Sequence, residues 1–72
     1  MFYVYIQIIS EKGRRPLTYR MTAPSIEHYT ENVKAYHNRG LLHICANRHL
    51  TMRDLQLYGY TTIKSRIEEI KE

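Results

Sequence analysis

The chain has 72 residues, with eleven Lys and Arg against seven Asp and Glu for a net charge of +4, which is room for one domain with a thin core. Its single cysteine, Cys45, excludes an intramolecular disulfide. The longest uncharged run, residues 1–10, is well short of the ~18 apolar residues that a membrane-spanning helix needs, so no membrane association is expected.

That run has no basic segment before it and no small-residue cleavage site after it. No signal peptide is therefore expected, and the lone thiol suits a reducing, cytoplasmic setting.

Residues 2–9 hold the densest run of β-branched and aromatic side chains and predict a strand. Alternation gives it two unlike faces. Phe2, Val4, Ile6 and Ile8 make one wholly apolar face, while Tyr3, Tyr5, Gln7 and Ile9 make a second with polar tips. Lacking proline and apolar on both sides, this strand belongs in the middle of a sheet. Residues 10–16 contain Gly13 and Pro16 and read as a hairpin loop. Residues 17–22 return as a second strand, with Leu17, Tyr19 and Met21 toward the core and Thr18, Arg20 and Thr22 away from it.

Ala23-Pro24-Ser25 breaks the sheet, and Ser25 is placed to cap a helix by accepting from the amide of Glu27 or His28. The helix is predicted over residues 26–38, with Ile26, Tyr29, Val33 and Tyr36 as its apolar stripe and Gly40 as its stop. Residues 41–46 follow as a third strand. Thr51 and Asp54 then form a capping pair for a short helix over residues 51–58, with Met52, Leu55 and Tyr58 inward and Gly59 after it. A strand over residues 55–62 is the alternative. A last helix over residues 62–70 carries Ile63, Ile67 and Ile70 at spacings of four and three. The expected fold is α+β in one domain, 1–72. It has a three-stranded antiparallel sheet (order 2-1-3), one crossing helix and a C-terminal helical hairpin, ββαβαα.

The basic excess is local. Residues 10–20 hold Lys12, Arg14, Arg15 and Arg20 against Glu11, while residues 21–40 and 61–72 balance to zero. A hairpin tip of this kind attracts phosphate or an acidic protein; its ordinary role is to stay solvated. The two predicted C-terminal helices, joined at Gly59, outline a helix-turn-helix. Thr61, Thr62, Lys64, Ser65 and Arg66 would be offered to DNA, with Lys64 and Arg66 as a second phosphate contact. The second sheet face gathers Tyr3, Tyr5, Gln7, Thr18, Arg20 and His43. Tyrosines interleaved with arginine stack unpaired bases or dock a protein partner, unless the C-terminal helices cover them.

His43, Cys45 and His49, with His37 upstream, lack a second cysteine, so no metal is expected. There is no paired-carboxylate cluster and no glycine-rich phosphate loop, and a chain this small has little room for a pocket. No cofactor and no enzymatic activity are expected. The leading expectation is a small non-enzymatic intracellular protein, nucleic-acid-binding or regulatory, acting through Lys12, Arg14, Arg15, Arg20, Lys64 and Arg66, with DNA versus RNA open. The alternative is a protein–protein interaction module, an inhibitor or modulator of another protein or a homodimer, using Tyr3, Tyr5, Gln7 and His43.

Overall fold

The computed structural model describes residues 1–71. Its elements are β1 (Phe2–Ser10), β2 (Leu17–Ala23), α1 (Ile26–Glu31), α2 (Val33–Arg48), α3 (Met52–Leu57) and β3 (Tyr60–Glu69). The strands form one antiparallel sheet in the order β2-β1-β3. The α+β class, the β1–β2 hairpin and the central place of β1 agree with the sequence. Val4, Ile6 and Ile8 are at most 1% exposed, and Leu17 and Ala23 of β2 are buried beside them.

The third strand is not the predicted one. Residues 41–46 lie inside α2, because Tyr36, Gly40 and Ile44 are buried at spacings of four and continue a helical stripe past the glycine. Gly40 does not stop the helix. It faces Ile6 so closely that a Cβ there would lie 2.8 Å from the Ile6 Cβ. The break comes earlier, at Asn32 between α1 and α2. The Asn32 amide donates to the His28 carbonyl at 2.8 Å and the Thr30 hydroxyl to the Ile26 carbonyl at 2.9 Å. Such side-chain bonds offer the backbone an alternative to the helical ladder. The helix ends at His49, whose φ of 54° is left-handed.

Residues 62–70, predicted as the final helix, lie almost wholly within β3. With residues 41–46 helical, the second edge of β1 would otherwise lack a partner, and Tyr60, Thr61, Thr62 and Ile63 all favour β structure. The helical hairpin, and the helix-turn-helix outline built on it, therefore do not form.

The capping predictions agree better with the structure. The Ser25 side chain accepts from the His28 amide at 3.0 Å. Thr51 and Asp54 bond each other's backbone reciprocally, at 3.1 and 2.8 Å. Gly59 follows α3 with φ 76°, which only glycine adopts freely.

The helices lie on one face of the sheet. Helix α2 crosses β2 and β1, α1 lies over β2, and α3 sits beside β3. One core cluster joins Val4, Ile6, Ala23 and Tyr36; the other joins Ile8, Leu17, Ile44 and Leu55. Ile26, Met52 and Tyr58, expected inward, are exposed. Among the described residues no helix lies on the other face of the sheet.

Candidate functional site

The strand registers set the uncovered face in rows. Tyr5 of β1 lies between Arg20 of β2 and Arg66 of β3. On one side of that row Tyr3 lies between Thr22 and Glu68; on the other Gln7 lies between Thr18 and Lys64. The β2 and β3 members are exposed, and Tyr3, Tyr5 and Gln7 are half-buried at the centre. Three cations thus share the face with one carboxylate.

The arginines cover the rings. The Arg66 guanidinium sits 4.1 Å from the Tyr5 ring centre and that of Arg20 sits 4.2 Å from the Tyr3 ring centre. The two rings are 6.2 Å apart and tilted by 59°. Cation–π attraction draws each guanidinium over a tyrosine ring while the arginine side chains stay exposed. Arg66 also donates to Glu68 at 2.7 Å. Beside this cluster is a concavity of about 380 Å³ lined by Tyr5, Gln7, Thr18, Lys64, Ser65 and Arg66. The face offers planar cations, aromatic edges and amide and hydroxyl groups, and these suit stacking and hydrogen bonding rather than covalent chemistry.

Of the predicted residues, Tyr3, Tyr5, Gln7 and Arg20 meet on this face as the alternation implies. Lys64 and Arg66 join them from a strand, not from a recognition helix. His43 does not join them. It lies on α2, on the helical side, stacked on the Tyr19 ring at 4.6 Å. The expectation failed because His43 was placed by strand alternation in a segment that is helical.

The hairpin tip is a separate basic group, and part of it is engaged. The Lys12 ammonium donates to the Leu57 carbonyl at the end of α3, at 2.9 Å, where the helix dipole favours a cation. The Arg14 guanidinium lies 4.1 Å from the Tyr58 ring centre. The Tyr60 hydroxyl donates to the Arg15 carbonyl at 2.7 Å, and the Glu11 amide donates to the Gly59 carbonyl at 2.9 Å. These bonds clamp the tip onto α3 and the start of β3. The Lys12 ammonium thus spends one of its three donors on α3.

Sequence reasoning missed a polar seam on the helical side. The Ser65 hydroxyl is bonded to the Tyr29 hydroxyl and lies 3.0 Å from His37 Nε2. His28 Nδ1 lies 2.8 Å from the Tyr36 hydroxyl. Ser65 is the polar member between Ile63 and Ile67, and its partners lie far away in sequence. Serine beside histidine resembles a nucleophile with its base. Among the described residues, however, no carboxylate is hydrogen-bonded to His37, and the hydroxyl already has two partners. The seam ties α1 and α2 to β3. Among the described residues no three His, Cys, Asp or Glu side chains group as metal ligands, and no helix is long and apolar enough to cross a membrane. Neither a family model, nor a curated protein, nor a solved structure matches this chain.

Proposed function

We propose that the chain binds single-stranded nucleic acid across the uncovered face of its sheet. The observation that carries this is the Arg20–Tyr5–Arg66 row, with a guanidinium over each of Tyr5 and Tyr3. Unpaired bases stack on tyrosine rings and on guanidinium planes alike, while Lys64 and the arginines neutralise the backbone. A three-stranded sheet face is broader than the helix or two-stranded ribbon that a major groove admits, so the reading favours single strands over duplex. Arg14 and Arg15 at the tip extend the basic surface beyond the sheet.

The test is fluorescence anisotropy with mixed-sequence oligonucleotides, single- and double-stranded, titrated with salt. Single strands should bind at low salt. If Arg20, Lys64 and Arg66 each neutralise one phosphate, log K should fall against log salt with a slope of about −2. Tyr5→Ala should cost about 1–3 kcal/mol of binding. Absence of binding at low salt sinks the proposal, as does a Tyr5→Ala variant that binds like the original. A protein docked on the same tyrosine–arginine face remains the competing reading.

A further inference from the structure

We infer that a second copy of this chain pairs along the free edge of β3, antiparallel, with Ile67 on the twofold axis. The inference does not rest on nucleic-acid binding.

Strand β3 has ten residues and contains neither proline nor glycine. One side pairs with β1, and the sheet order leaves the other side open. The Ile70 amide donates to the Met1 carbonyl, and backbone groups along a strand alternate in direction. The amides and carbonyls of Ile63, Ser65, Ile67 and Glu69 therefore point away from β1, toward the open edge. On the helical side, α2 packs chiefly over β2 and β1 and reaches β3 through His37 on Ser65. Ile63 and Ile67 consequently stay only half-buried. The edge thus has free hydrogen-bonding groups and an apolar row that the chain's own helices do not finish covering.

Charge favours a second copy as the partner and Ile67 as the axis, since a centre on Ile63 avoids like charges but sets Thr62 against Lys64 and forms no ion pair. A twofold antiparallel pair places residues of equal side-chain direction opposite each other. Centred on Arg66, it would face guanidinium against guanidinium; centred on Glu68, carboxylate against carboxylate. Centred on Ser65, it would set Lys64 against Arg66. Centred on Ile67, it sets Ile67 against Ile67 and Arg66 against Glu68, the latter twice by symmetry. Arg66 and Glu68 already lie on one face, 2.7 Å apart within a copy, so each can exchange its partner for the equivalent residue of the second copy. They would also occupy the pairs where side chains approach most closely. A self-complementary strand fits a second copy of itself. The product is a six-stranded sheet with all helices on one side and the two tyrosine–arginine faces joined on the other.

Sedimentation velocity over a concentration series tests this on the full chain without oligonucleotide. The unaltered chain should dimerise. Arg66→Glu and Glu68→Arg should each weaken association by at least about tenfold through like-charge contacts, with circular dichroism unchanged. The double variant R66E/E68R should restore it. Hydrogen exchange gives an independent reading: the amides of Ser65, Ile67 and Glu69 should gain protection as concentration rises. A monomer throughout, single variants that dimerise normally, a double variant that stays monomeric, or edge amides indifferent to concentration would each overturn the inference.

Discussion

Gly40 sits in the interior of α2, where alanine would ordinarily stabilise a helix by about 1 kcal/mol. Here the added methyl would meet the Cβ, Cγ1 and Cγ2 of Ile6, each at 2.8 Å. Ile6 is fully buried in the central strand and cannot swing away. Overpacking of this kind costs roughly 1–3 kcal/mol, so Gly40→Ala should lower stability despite the better helix former. Ile6→Ala alone should cost about 2–5 kcal/mol through the cavity it leaves. Together the two should cost less than the sum of the single effects, because the smaller side chain removes two of the three close contacts. Urea denaturation of the four proteins measures that coupling, and strict additivity would show that the helix does not press on β1 at this point. The same contact explains a misreading of the sequence. Glycine between Arg39 and Leu41 looks like a stop, but its function is to let two backbones approach.

At the level of elements, α3 has six residues and is short for a stable helix by itself. It is held at both ends, by the Thr51–Asp54 box at its start and by the Lys12 ammonium on the Leu57 carbonyl at its finish. Thr51→Ala should therefore cost about 1 kcal/mol. For a domain of this size that is a fall of roughly 4–8 °C in the melting temperature. Differential scanning calorimetry reads it, and an unchanged melt would mean that the Lys12 clamp suffices alone. The cap was legible because its residue types have one favoured use at that spacing. Strand β3 was not. Ile63, Ile67 and Ile70 fit a helical period, and the inward Ser65 hides the alternation that Ile63 and Ile67 would otherwise display. Only the partners of Ser65, Tyr29 and His37, distant in sequence, make an inward hydroxyl reasonable. For the same reason Lys64 and Arg66 are expected on a helix and lie on a strand. Tyr3, Tyr5, Gln7 and Arg20 lie on strands with plain alternation, so their shared face could be read directly.

Across the whole molecule, stability should be graded by distance from β1. That strand is paired on both sides, and its Val4, Ile6 and Ile8 side chains are almost fully buried. Helix α1 buries no residue fully. Native-state hydrogen exchange should find the amides of Val4, Ile6 and Ile8 exchanging only through global unfolding, and those of α1 through local opening at lower free energy. Protection of α1 equal to that of β1 would contradict this layering. The clamp between the hairpin tip and α3 should make the β1–β2 loop more protected than its length and glycine would imply.

Met1 bonds to Ile70, and Phe2 pairs with Glu69. Strand β1 is synthesised before β3 and must therefore wait for it before its second border is sealed. At about 5–20 residues per second that delay amounts to several seconds. Throughout it Val4, Ile6 and Ile8 belong to an unfinished hairpin, sticky and available to chaperones, so the nascent sheet stays vulnerable until β3 emerges to pair with β1.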